Sequence, residues 1–134
     1  MTPEYNDSQR IVLIVDDDPF GIIHLQSLLQ DSGYAIITAP DGRSALEIIR
    51  KQPPDIILLD IIMPEMDGYE TCRRLKKDKR FANIPVVFLS GLYVKDKELK
   101  VIEVGGAGYI TKPFSEQDVL TAVQTHLMTH QLKR

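Results

Sequence analysis

The feature that most constrains this chain is an alternation. Five short runs rich in Ile and Val, at residues 11–15, 34–38, 55–59, 84–89 and 108–110, are separated by longer amphipathic segments. Most of these runs are apolar throughout rather than at every second residue. That is the pattern of parallel strands covered on both faces, where both sets of alternating side chains are buried.

The intervening segments carry helical spacing with start and stop signals. Asp18-Pro19 supplies an N-cap followed by proline at the first helical position, and Gly33 follows the end of that helix. Asp41 caps a second helix bearing Ala45, Leu46, Ile48 and Ile49, which stops before Pro53-Pro54. A third helix is predicted over residues 66–78, and a fourth over 95–104, ending at Gly105-Gly106. The last begins near Ser115, with Asp118 as a capping-box partner, and carries Val119, Leu120, Val123 and Leu127. Strands and helices alternating in this way imply an α/β fold, a doubly wound parallel sheet with helices on both faces. A chain of 134 residues suits one such domain, burying about two-thirds of its unfolded surface. Ligands in these folds bind beyond the carboxyl ends of the strands, so the residues that follow each strand are the place to seek chemistry.

Those residues are polar at four strand ends. The first strand runs into Asp16, Asp17 and Asp18, and the third into Asp60; the fourth ends at Ser90-Gly91, and the fifth is followed by Thr111, Lys112 and Pro113. If the strands are neighbours, carboxylates from two of them converge and repel unless something positive sits among them. A hard cation such as Mg²⁺ is one such partner, and the Lys112 ammonium is another. Ser90 adds a hydroxyl donor. A nucleophilic oxygen, a metal and donors for equatorial oxygens are what phosphoryl transfer needs, and a carboxylate can itself be the nucleophile. Singly the residues have plainer readings: Asp18 as a helix cap, Lys112 as a surface lysine, Ser90-Gly91 as a turn.

Taken together, the stretches "ILIVDDDP", "PDIILLDIIMPEMDGYE", "IPVVFLSG" and "GAGYITKPF", in that order, resemble the receiver domains of two-component response regulators, across residues 10–128. The resemblance implies a five-stranded parallel sheet in the flavodoxin-like order 2-1-3-4-5. It implies Asp60 as phosphoacceptor, and Asp16 and Asp17 as the acidic pair for Mg²⁺ (or Mn²⁺). The metal's direct ligands would be Asp17, Asp60 and the backbone carbonyl of Ile62. Ser90 matches the switch hydroxyl, Lys112 the conserved-role lysine before a cis Pro113, and Tyr109 the aromatic that turns inward on activation. Asp67-Gly68 matches the loop after the acceptor, where a glycine can take positive φ. Gly91 stands where an alanine is usual, which is expected to loosen that loop. The implied partners are a sensor histidine kinase or histidine phosphotransfer protein, an attached or downstream output domain, and a second copy on phosphorylation. The implied readout is the surface of helix four, strand five and helix five. Ile62 and Leu92 occupy positions that govern access of hydrolytic water; both are apolar, so slow loss of the phosphoryl group is expected.

The bulk numbers agree. A net charge of -3 without a basic stripe gives no sign of direct nucleic-acid binding. The cluster Arg73, Arg74, Lys76, Lys77, Lys79 and Arg80 is interrupted by Asp78 and reads as a solvated helix end. Cys72 is the sole cysteine, so no internal disulfide forms and a reducing, cytoplasmic setting is expected. The longest apolar runs fall far short of the ~20 residues of a membrane span. Residues 1–9 read as a flexible tail, 10–128 as the receiver domain, and 129–134 as a tail or the start of a linker helix. Three rival readings are weaker. A haloacid-dehalogenase-like phosphatase using Asp16 needs further motifs and a cap. A pseudo-receiver would not need the intact acidic set, and an FMN carrier would not place aspartates where phosphate binds. His24, His126 and His130 avoid the strand ends and read as surface or packing residues; Met63 and Met66 flank Pro64 and read as packing beneath the loop.

Overall fold

The computed structural model describes residues 9–91 and 94–132, the last three by backbone alone. The elements follow in the order β1 (Ile11–Val15), α1 (Pro19–Leu29), β2 (Ala35–Ala39), α2 (Gly42–Lys51), β3 (Ile56–Asp60), α3 (Gly68–Lys76), β4 (Val86–Ser90), α4 (Lys97–Glu103), β5 (Gly108–Thr111) and α5 (Glu116–Leu132). The strands form one sheet in the order β2-β1-β3-β4-β5, with every neighbouring pair parallel. The doubly wound architecture expected from the alternation is therefore the one observed.

Why the strands are apolar throughout is plain from where their side chains go. Leu13, Val15, Ile57, Leu59, Val86 and Phe88 enter one core, roofed by α2, α3 and α4. Val12, Ile14, Ile56, Leu58, Val87 and Leu89 enter a second core, on the side of α1 and α5. Each fully buried Val, Leu or Ile contributes about 1.5–3 kcal/mol, so the two layers lock the register. β2, paired on one side only, is half-buried along most of its length.

Capping follows the sequence signals closely. Asp18 Oδ1 accepts from the Phe20 amide at 3.0 Å, and Asp41 Oδ1 from the Ser44 amide at 2.7 Å. The capping box of α5 is reciprocal: the Ser115 amide donates to Asp118 Oδ2 at 2.9 Å and the Asp118 amide to Ser115 Oγ at 3.1 Å. α5 then runs without interruption to Leu132.

Several boundaries differ from expectation for local reasons. β3 includes Asp60 itself, which pairs with Leu89. β4 starts at Val86 rather than residue 84, because Ile84 closes a turn on Phe81 (3.1 Å) and Pro85 has no amide for the ladder. α3 starts at Gly68 rather than residue 66, because the Asp67 side chain caps it by accepting from the Glu70 amide at 2.9 Å. α4 begins at Lys97 rather than 95, since Asp96 is left-handed at φ 53.

The role expected of Gly68 also needs correction. The left-handed residue of the loop after β3 is Glu65, at φ 68, and Gly68 is not among the residues with positive φ. Gly68 is required for close approach: a Cβ there would lie 2.2 Å from the Asp60 carbonyl oxygen and 3.0 Å from the Ile61 Cα. Both are backbone atoms of β3 and its exit, so neither can swing aside. Around Gly91, by contrast, an added Cβ meets nothing within 4 Å. In urea denaturation Gly68→Ala should therefore lose about 2 kcal/mol through overpacking, whereas Gly91→Ala should be neutral or gain about 0.5 kcal/mol from the stiffer unfolded chain.

Candidate functional site

The parallel order sets β1 and β3 side by side, so their carboxyl ends deliver Asp16, Asp17 and Asp60 to one spot. Each offers a carboxylate oxygen, and these oxygens lie within 4.8 Å of one another. Asp16 and Asp60 are buried, while Asp17 is exposed. Asp16 is oriented locally, its Oδ1 accepting from the Asp18 amide at 3.0 Å. Asp18 itself faces away as the cap of α1 and does not join the group.

The opposing charge comes from the far side of the sheet. Lys112 Nζ sits 3.3 Å from Asp60 Oδ1, and the Lys112 amide donates to the Ser90 carbonyl at 2.7 Å, which ties the β5–α5 loop to the end of β4. The Lys112-Pro113 peptide is cis, as the resemblance implies. Ser90 is fully buried, and its hydroxyl donates to the Gly91 carbonyl at 3.0 Å, so it faces neither a carboxylate nor solvent in this state.

Burial is the largest influence on Asp60 and raises its pKa. Lys112 pulls the other way, and the charges of Asp16 and Asp17 push it up again, leaving Asp60 at about 6. One ammonium is thus not enough for three carboxylates. The donor set is oxygen throughout, as a hard divalent cation prefers, and the exposed Ile62 side chain carries no ligand atom. Residues Asp16, Asp17 and Asp60 fit Mg²⁺ or Mn²⁺ well.

Tyr109 lies two residues before the end of β5 and is turned outward, 36% exposed. Its hydroxyl donates to Glu98 Oε1 at 3.0 Å, and Lys97 Nζ lies 5.3 Å from its ring centroid. Lys97 also donates to Thr111 Oγ1 at 3.3 Å, so the first turn of α4 holds β5 at two points. Sequence reasoning missed Lys97 and Glu98, because acids and bases in a surface helix carry no signal of what they face.

His24 stacks on Phe114 with centroids 5.7 Å apart, and His126 is half-buried against the β5 backbone at Gly108, its pKa lowered by burial. Met63 is buried beneath the loop after β3. The Cys72 thiol donates to the Val104 carbonyl at 3.3 Å, and burial pushes its pKa up to about 11, which leaves it inert. Leu92 and the side chain of His130 lie outside the described residues. Among the described residues no helix is long and apolar enough to cross a membrane.

Comparison with known proteins identifies the family. Residues 12–124 match the response regulator receiver domain family. Protein PilG of Pseudomonas aeruginosa is 40% identical over 119 residues, covering 87% of this chain and 86% of that protein. A probable cyclic di-GMP phosphodiesterase of Vibrio cholerae is 40% identical over 94% of this chain, which spans only 28% of that relative's length. The alkaline phosphatase synthesis transcriptional regulatory protein PhoP of Bacillus subtilis is 40% identical, and the chain spans 48% of it. Among solved structures, the chemotaxis protein CheY4 of Vibrio cholerae superposes with a TM-score of 0.83 at 31% identity, over 88% of this chain and 98% of that one.

The crowding has a measurable signature. Asp60 sits at about 6 in the folded chain against 3.8 for an ordinary Asp, so between those values the folded state holds the extra proton. Its contribution to stability is complete below the lower value and is lost as pH rises through the upper one. In metal-free buffer at pH 7.5, Asp60→Asn should be more stable than wild type by about 1 kcal/mol after solvent screening. The gap should close as pH falls to the unfolded value, and Mg²⁺ should narrow it at pH 7.5; paired urea titrations read all three.

Proposed function

The chain belongs to the response regulator receiver domain family, and on that premise we propose that it is a phosphoacceptor switch, taking a phosphoryl group on Asp60 from a partner's phosphohistidine. The observation that carries this reading is the placement of Asp60: nearly buried, within 4.8 Å of two further carboxylates and 3.3 Å from a lysine ammonium. In the transfer, an Asp60 carboxylate oxygen forms a bond to phosphorus as the phosphorus–nitrogen bond to the donor imidazole breaks; the imidazole leaves with a proton. Asp17, Asp60 and the Ile62 carbonyl, with Asp16 behind them, would hold Mg²⁺ or Mn²⁺. A cation held there would neutralise the crowded carboxylates and the charge on the transferring oxygens. The domain acts on nothing but itself, catalysing its own phosphorylation and dephosphorylation.

Lys112 and Ser90 serve the product. A bound phosphoryl group brings about −1.5 to −2 charge and strong acceptor oxygens. Lys112 is already in reach, and Ser90 gains a better acceptor than the Gly91 carbonyl once its hydroxyl turns. Drawing Ser90 toward the phosphate moves the end of β4. Tyr109 then leaves Glu98 and turns inward, changing the surface of α4, β5 and α5. That surface exposes Leu99 and Ile102, 72% and 74% accessible, to a partner or a second copy. The donor protein, a sensor histidine kinase or histidine phosphotransfer protein, has an apolar landing strip on α1 in Phe20 and Ile23, 79% and 59% accessible. Relatives of greater length include a transcriptional regulatory protein and a probable phosphodiesterase, which supports control of an attached or separate output module. The setting consistent with this role is the cytoplasm.

The direct test is intact-mass spectrometry after incubation with acetyl phosphate. One added phosphoryl group is expected, dependent on Mg²⁺ and absent from Asp60→Asn; addition that persists in Asp60→Asn would contradict the reading. The apolar, exposed side chain at Ile62 offers no hydrogen bond to an attacking water. Ile62→Asn should accordingly shorten the phosphoryl lifetime in the same assay, and an unchanged lifetime would remove Ile62 from the account.

A further inference from the structure

Helix α1 meets the Asp16 carboxylate at a glycine. A Cβ built on Gly21 would stand 2.3 Å from Asp16 Oδ2, 3.0 Å from its Cγ and 3.6 Å from its Oδ1. A Cβ can enter that gap only if the Asp16 carboxylate moves. We propose that Gly21 is a positioning residue for the cation site: its bare Cα is the seat that lets Asp16 hold its carboxylate where Asp17 and Asp60 converge.

The seat works together with a second restraint. The Asp18 amide fixes Asp16 Oδ1 at 3.0 Å, and Gly21, in the first turn of α1, leaves room for Oδ2. One oxygen is held by a donor and the other by the absence of a side chain, so the plane of the carboxylate is set from both ends. Asp16 is 2% exposed, so its carboxylate is held by its neighbours rather than by solvent. All three atoms nearest the missing Cβ belong to the Asp16 side chain, and none to backbone. A methyl group at Gly21 therefore asks only the carboxylate to give way. The helix itself gains from the change, because alanine is a better helix former than glycine. Site and fold are thereby separable at this position, unlike at Gly68, where the obstacle is the β3 backbone.

The inference rests on the reading that Asp16, Asp17 and Asp60 hold the cation, and its test uses cation binding without any phosphoryl donor. Calorimetric titration of Mg²⁺ into the full chain compares wild type, Gly21→Ala, Asp16→Asn, the double variant and Asp17→Asn, each with its melting temperature. Displacing a support of a metal-ligating group typically weakens binding by about tenfold or more. Gly21→Ala should lose affinity on that scale while melting at or above the wild-type temperature. In the Asp16→Asn background the same substitution should change affinity little, because the group through which it acts is gone. Wild-type or tighter binding by Gly21→Ala, beside a loss in Asp17→Asn, would overturn the role of Gly21 alone. So would a loss that is undiminished in the Asp16→Asn background, or a melting temperature well below wild type. Wild-type binding by Asp17→Asn as well would overturn the cation site itself.

Discussion

Mutual repulsion of three carboxylates at the carboxyl end of the sheet is the constraint on which the rest of the structure depends. A fold selected for stability alone would not gather Asp16, Asp17 and Asp60 within 4.8 Å and answer them with one lysine. Burial and crowding leave Asp60 at about 6 rather than in the usual carboxylate range, which makes the site deficient in positive charge. On the proposed reading, a cation would supply the missing positive charge, and a phosphoryl group would add negative charge answered by Lys112 and Ser90. The site is in effect a charge imbalance held in place by a rigid scaffold.

The scaffold supplies rigidity through the two apolar layers and precision through a few small contacts. Side chains alternating to either face of β1, β3 and β4 fix the register, and the register fixes which residues leave the strand ends together. Beyond the strands, control passes to backbone geometry. The Asp18 amide orients Asp16, the Gly68 Cα lies against the Asp60 carbonyl, and the Lys112 amide ties one loop to the end of β4. At the opposite edge, Tyr109 is tied to Glu98, in contact with the helix whose surface is the proposed output. Ser90 pairs in register with Thr111 and Phe88 with Tyr109, so a shift at the end of β4 is felt directly along β5.

Much of this was legible in the sequence because the relevant signals are local and strong. Unbroken apolar runs announced buried parallel strands, and Asp18-Pro19, Asp41 and the Ser115–Asp118 pair announced helix starts that the hydrogen bonds bear out. The polar residues following the strands announced where the carboxylates would meet. What the sequence concealed was set by tertiary approach. The Asp67-Gly68 pair looks like a turn, yet Asp67 is a helix cap and Gly68 a point of backbone contact, while the left-handed residue is Glu65, a type seldom found there. Gly21 carries no signal in the sequence of the Asp16 carboxylate it faces. Lys97 and Glu98 are indistinguishable from solvated helix charges until β5 is placed beside them.

The central claim is that, of the three converging carboxylates, Asp60 is the one that takes phosphate. An acyl phosphate is reduced by borohydride to an alcohol, which turns a phosphorylated aspartate into homoserine and marks the residue permanently. Peptide mass mapping after phosphorylation with acetyl phosphate and Mg²⁺, followed by that reduction, locates the mark. The account predicts homoserine at residue 60 and intact aspartate at Asp16 and Asp17. Homoserine at Asp16 or Asp17 would contradict it and transfer the nucleophile to the end of β1.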